Sequence, residues 1–357
     1  MTTTFALVVP SGIDEVPTGG NVYDRRMRDG LTAAGLDVRE ISVPGAWPRP
    51  VPADRAALAR SLDALPDGTP VLLDGLVACG VPEVVVPRAS RLRLAILVHM
   101  PLADDVGLPR TVATELARRE RETLAAVTMV VATSEATARR LREEYGPRAV
   151  DVVPPGVDSA PRTTGSDTGA RLLCVASVAP VKGQDVLVAA LARLAGLTWH
   201  CRCAGAVRDP GFADRVRDEI ERRGLGNRME LMGARGPEEM AQLYGAADLL
   251  VLPSRAESYG MVVAEALARG IPVAASAVGG VREALGDTDL GRPGLLVTPD
   301  DAVALADALR MWLTDTALRQ RLRAAALRRG ETLEPWSVAA GRLAAVLRRL
   351  VAAEVTR

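Results

Sequence analysis

Short apolar runs alternate with stretches of helical spacing along the first part of the chain. Residues 5–9, 71–73, 92–98, 127–132 and 150–153 are rich in Val, Leu and Ile, and each is followed by a window with apolar residues at helical period. Continuous apolar runs of strand length separated by helices predict a parallel sheet covered on both faces. After the polar stretch 158–169, rich in Thr, Ser and Gly, the alternation restarts with 172–176, 199–204, 229–232, 249–252 and 272–275. The same architecture written twice predicts an α/β chain of two Rossmann-like domains, residues 1–160 and 161–334, with a ligand cleft between them. From Asp301 onward the spacing is helical, broken at Gly330 and Pro335, and a last helix within 335–357 is expected to cross back onto the first domain.

A length of 357 residues agrees with two domains of about 150 residues each plus a tail. With 48% apolar and 25% charged residues, a sizeable core is available to each half. The formal net charge of zero supplies no basic field for nucleic acid. Of the four cysteines only Cys201 and Cys203 are close, and no second pair completes a zinc site, so reduced core thiols are expected. The apolar run at 5–9 is too short for a signal core or a membrane span. A cytoplasmic protein is expected, with peripheral contact at the inner membrane face left open.

In open parallel sheets, ligands bind beyond the carboxyl ends of the strands. Four segments at such places carry chemistry. In Thr18-Gly19-Gly20-Asn21, glycines leading into a helix near Asn21 suit a plain loop or the close approach of an anion. His99, one of two histidines, follows the run 92–98 directly and reads as a loop histidine or a substrate ligand; His200, inside an apparent strand, reads as structural. Of the 44 lysine and arginine residues only Lys182 is lysine, and it stands between a strand and a helix, where it is a surface residue or a compact charge for a diphosphate. Glu257 and Glu265 flank a predicted helix start near Gly260; they read as solvated carboxylates or as acceptors of sugar hydroxyls.

The ordered set Gly19-Gly20, His99-Met100-Pro101, Val153-Pro154-Pro155-Gly156-Val157-Asp158, Lys182-Gly183, Glu257-x7-Glu265 and Gly279-Gly280 resembles glycosyltransferase family 4 over nearly the whole chain. The resemblance implies the GT-B fold, with an acceptor-side first domain and a second domain that binds a nucleotide sugar. It implies a retaining hexosyltransferase that moves sugar from a nucleoside diphosphate sugar, of uridine or guanosine, to an unidentified acceptor. No metal and no cofactor besides the donor are implied. By position, Lys182 would hold the donor diphosphate, helped by Gly19, Gly20 and the amides of Gly260, Met261 and Val262. Glu265 would take the ribose, Glu257 the donor sugar, and His99 would lie beside the reacting sugar. Residues 233–235, ending in Arg235, would edge the base.

One departure stands out. Ser177 occupies the position where the family usually has a diphosphate-binding arginine, and Val181 stands where close relatives sometimes place it. Arg255 and Arg235 are the candidates to compensate. Pro155 replaces a usual Asn in the interdomain connection. Retaining transfer would need fixed donors at the phosphate rather than a pair of carboxylates placed for hydrolysis. Two rivals remain open at this level: a same-fold epimerase or phosphorylase, and a weak or inactive sugar-nucleotide-binding protein.

Overall fold

The computed structural model describes residues 4–15, 18–147 and 149–352. The chain divides into two compact units, Met1–Gly156 with Glu334–Arg357, and Val157–Leu333. In the first, β1 (Thr4–Pro10), β2 (Asp37–Val43), β3 (Pro70–Asp74), β4 (Arg93–Val98), β5 (Met129–Ala132) and β6 (Asp151–Val152) form one parallel sheet ordered β2-β1-β3-β4-β5-β6. In the second, β7 (Arg171–Val175), β8 (His200–Ala204), β9 (Met229–Gly233), β10 (Leu249–Leu252), β11 (Val273–Ser276) and β12 (Gly294–Val297) are ordered β12-β11-β10-β7-β8-β9, again all parallel.

Both faces of each sheet are buried. Ala6 and Val8 point into one core and Phe5, Leu7 and Val9 into another; Leu249 and Val251 part from Leu250 and Leu252 in the same way. This is why the central strands read as unbroken apolar runs. The pattern missed β2 and β12, both edge strands whose side chains are mostly part-exposed, so their sequences mix polar with apolar residues. All four cysteines are free and buried. No helix among the described residues is long and apolar enough to cross a membrane.

The helix Trp336–Ala352 lies on the first unit. Its Ala339, Ala340, Leu343, Leu347 and Leu350 complete the core that Phe5, Leu7, Tyr23 and Met27 begin. It packs tightly on the helix Gly19–Ala33: a Cβ added to Gly30 would stand 2.5 Å from the Ala340 Cβ. In the second unit, segment 158–169 is tied down by Asp248, which is 1% exposed. Its carboxylate accepts from Ser166 N (2.5 Å), Ser166 Oγ (2.6 Å), Arg171 N (2.9 Å) and Arg323 Nη2 (3.3 Å). Burial alone would raise its pKa, but the bonds from Arg171 and Ser166 outweigh that and hold it below the usual carboxylate range.

Two outcomes are expected. Helix propensity alone would make Gly30→Ala stabilising by about 1 kcal/mol, yet the contact with Ala340 predicts a loss of roughly 1–2 kcal/mol, recovered in the double variant with Ala340→Gly, as read from urea midpoints. Asp248 should contribute stability in full above the ordinary Asp range near 3.9 and lose it as pH falls further, because its folded pKa is depressed. Asp248→Asn should cost roughly 2–3 kcal/mol at neutral pH and flatten that acid limb in thermal unfolding.

Candidate active site

In the second unit the strand order reverses between β7 and β10, so the loops leaving these two strands border the crevice where ligands of such sheets bind. Lys182 closes the short turn Pro180–Lys182 after β7, and Gly183, at φ +68, starts the helix Gln184–Ala192. A Cβ on Gly183 would lie 2.1 Å from the Pro253 carbonyl oxygen, so only glycine lets the β7 loop approach the β10 loop this closely. The Arg255 N–H donates to Val181 O at 2.8 Å and seals the contact. From the far side, Gly279 takes φ +47, and a Cβ there would fall 1.6 Å from the Glu257 carbonyl oxygen.

These approaches bring Lys182 and Glu257 together. Lys182 Nζ donates to Glu257 Oε1 at 2.7 Å, and Ser254 Oγ donates to the same oxygen at 2.7 Å. The two side chains are 24% and 11% exposed, which leaves the pair reachable yet little screened. Gly260, at φ +87, caps the helix Met261–Ala268, whose first-turn N–H groups include those of Met261 and Val262. One turn along this helix, Glu265 accepts from the Tyr244 hydroxyl at 2.7 Å. Burial, then the charge of Glu265, raises the Tyr244 pKa, so the phenol stays neutral and donates.

Ser177 lies in the loop after β7, where its carbonyl accepts from Gln184 Nε2 at 2.9 Å. Arg255 does not stand free to replace the missing arginine. It forks onto Asp185 (3.0 and 2.8 Å), and its Nε donates to Asp300 at 2.9 Å. Arg235 follows β9; its Nη1 reaches Glu239 at only 3.5 Å, and its Nε is buried without a partner among the described residues.

The first unit carries a different constellation at the carboxyl ends of β3 and β4. Thr18 caps the helix Gly19–Ala33, its hydroxyl accepting from Asn21 N at 3.1 Å, so the helix starts at Gly19 rather than near Asn21. Gly20 then lies against His99: a Cβ there would stand 3.4 Å from His99 Cδ2. His99 Nε2 bonds Asp24 Oδ1 at 3.0 Å, and Tyr23 meets the imidazole edge-to-face at 5.2 Å. Asp24, Asp74 and His99 each offer an atom within 4.8 Å of the others. Burial, then the charge of Asp24, pushes Asp74 up to about 8. Burial would lower His99, but the charge of Asp24, the bond to it and the charge of Asp74 raise it to about 9.

Beyond β2 and β3 a groove of about 400 Å³ is lined by residues that include Arg49, Arg55, Gly80 and Arg119. Arg55 and Arg119 are bonded to Glu83, so much of its basic wall is neutralised. Sequence reasoning found Lys182, Glu257, Glu265 and His99 but passed over Asp24, Asp74, Ser254 and Tyr244. Asp74 left a legible trace as the lone charge ending the apolar run Pro70–Asp74. Asp24 and Tyr244 sit inside helices, where the sequence alone does not show which way they point.

Residues 159–329 match the family model "Glycosyl transferases group 1", and residues 76–160 match "Glycosyltransferase Family 4". A D-inositol 3-phosphate glycosyltransferase of Nocardia farcinica is 34% identical over 254 residues, 66% of this chain and 54% of that protein. D-inositol 3-phosphate glycosyltransferase 1 of Catenulispora acidiphila is 32% identical over 296 residues, 76% of this chain and 68% of that one. The match spans about half the length of several of these relatives. Sucrose-phosphate synthase of Thermosynechococcus elongatus has the same fold, with a TM-score of 0.81, 23% identity and cover of 99% of this chain and 100% of that chain. Anabaena HepE, solved in complex with UDP and glucose, superposes with a TM-score of 0.72 at 21% identity, covering 96% of this chain and 99% of its own. With two Rossmann-like units of GT-B type and these relatives in hand, the chain belongs to glycosyltransferase family 4.

Proposed function

We propose that this glycosyltransferase takes its sugar from a nucleoside diphosphate hexose, of uridine or guanosine, and transfers it with retention to an acceptor alcohol. The observation that carries the reading is the 2.7 Å pair of Lys182 and Glu257 at the strand-order reversal of the second unit. When a donor enters, its diphosphate replaces Glu257 as partner of the lysine. Glu257 then turns to the hydroxyls of the sugar, and the ammonium stabilises the charge that grows on the phosphate as the glycosyl bond breaks. The first-turn amides of Met261 and Val262 add to that field. Glu265, held by Tyr244, is assigned to the ribose hydroxyls, Arg235 to the edge of the base, and His99 with Gly19 and Gly20 to the reacting sugar.

No protein nucleophile enters this scheme. The departing phosphate oxygen takes the acceptor proton on the face of the sugar it leaves, which returns the original configuration. Charge neutralisation is assigned to Lys182 and helix N–H groups, with no divalent ion invoked. Support for a uridine nucleotide comes from HepE, which holds UDP and glucose in the same fold. A cytoplasmic setting, with contact at the inner membrane face when the acceptor is lipid-linked, belongs to the same reading. A weaker second reading, a binder with little turnover, is favoured only by Ser177 and by the commitment of Arg255 to Asp185 and Asp300.

Calorimetry with UDP, GDP and their hexoses tests the assignment. Lys182→Ala should weaken the preferred nucleotide about 30–150-fold, the size of a lost charge-assisted contact of about 2–3 kcal/mol. Glu265→Gln should weaken it roughly 10-fold and Tyr244→Phe by less, with the fold intact by circular dichroism. Unchanged affinity in both Lys182→Ala and Glu265→Gln would end the donor assignment. Slow hydrolysis of the bound donor without acceptor separates an enzyme from a binder.

A further inference from the structure

Two buried carboxyls meet beside His99, and the proposed role of that histidine in the transfer leaves both unexplained. Asp24 is 1% exposed and Asp74 4%. Asp24 Oδ1 is matched to His99 Nε2 at 3.0 Å, but Asp24 Oδ2 is buried without a hydrogen-bond partner. Asp74 Oδ1 accepts from Leu76 N at 2.7 Å, where it caps the short helix Gly75–Ala78. The donor atoms of Asp24, Asp74 and His99 all lie within 4.8 Å of one another. Two neighbouring carboxyls out of water do not both ionise; one keeps its proton and donates it to the other. Burial and the charge of Asp24 make Asp74 the one that keeps its proton, within reach of an Asp24 whose Oδ2 is unpaired.

Among the described residues, no charge other than those of Asp24 and Asp74 acts on His99. On the helix Gly19–Ala33, Tyr23 meets it with a neutral ring whose hydroxyl is committed to Val153 O at 2.9 Å, and the other close element is the backbone of Gly20. After β5, the Thr133 hydroxyl donates to the His99 carbonyl at 3.3 Å. From the last helix, Trp336 meets Tyr23 edge-to-face at 6.0 Å, and Arg26 lies over the Trp336 ring at 5.8 Å. Among the described residues, His99 Nδ1 has no partner and is not among the buried unpaired atoms, so it is the nitrogen open to a ligand.

We propose that Asp24 and Asp74 are positioning residues for the transfer. Neutral Asp74 donates to Asp24 Oδ2, Asp24 accepts the Nε2–H of His99, and the imidazole is held as a cation whose Nδ1–H, not a lone pair, meets the reacting sugar. His99 then acts as a fixed hydrogen-bond donor and does not take the acceptor's proton, which leaves that proton to the phosphate oxygen. No bond is made or broken by the three residues themselves. The inference rests on the assignment of His99 to the reacting sugar, and the two fail in different measurements.

Nitrogen NMR of the full chain labelled at histidine reads the charge directly, since only His99 and His200 give signals. Both ring nitrogens of His99 should stay protonated until pH approaches 9. Asp24→Asn should return the titration to the ordinary range near 6.5. Asp74→Asn keeps a neutral donor and a helix cap, and should leave the His99 cation within about one pH unit of its native midpoint. In donor turnover, Asp24→Asn should lose about 30-fold at pH 8, the ratio of cation present with midpoints of 9 and 6.5, and lose little at pH 6. Titration of native His99 near 6.5, an Asp24→Asn variant that titrates as the native chain does, or signals that move on adding Mg²⁺ or Zn²⁺ would each overturn the proposal. The expected titration combined with native turnover in His99→Ala would instead overturn the placement of His99 at the sugar.

Discussion

The approach of Lys182 to Glu257 is possible only because three backbones are allowed to crowd. Gly183 and Gly279 stand where carbonyl oxygens of Pro253 and Glu257 occupy the space of a side chain, and both take left-handed torsions that other residues resist. Without this crowding, the loops after β7 and β10 would part by the width of a Cβ contact. The ammonium would then lose its fixed place. The ammonium of Lys182 in the β7 turn and the carboxylate of Glu257 in the β10 loop are thus tied to one another before any ligand arrives. A site already assembled in this way loses less entropy when it binds.

Buried acids are handled in two opposite ways in the two units. Asp248 keeps its charge because it is surrounded by N–H and O–H donors that outweigh the cost of burial. Asp74 has a single backbone donor and a second acid beside it, and its proton is retained. The first arrangement fastens a connecting segment and is paid for in hydrogen bonds. The second stores a proton next to an imidazole, which suits chemistry rather than anchorage.

The sequence pattern recovered the strands whose two faces are buried and missed those at the edges, because β2 and β12 have half-solvated sides and no continuous apolar signal. Lys182, Glu257 and His99 were visible because they follow such runs, where the sheet sets its ligand edge. Tyr244 and Asp24 were not, since each lies in a helix whose rotation is decided by the packing of distant segments: Asp24 turns inward where the helix meets β3 and β4, and Tyr244 where its helix meets the one that holds Glu265. Ser177 was singled out as a position without a charge, and the structure places it in the loop after β7. The crowding of Arg255 by Asp185 and Asp300 depends on residues 70 and 45 positions apart in the chain, beyond any local motif.

The second unit is one continuous stretch, whereas the first is closed by residues that come after it. During synthesis, Val157–Leu333 can complete its sheet while the first unit still lacks the apolar face of Trp336–Ala352. At ordinary ribosomal rates that interval is about 10–40 s. Over that time Phe5, Leu7 and Met27 have no layer above them, so the first unit carries an uncovered apolar face on the nascent chain until its last helix emerges.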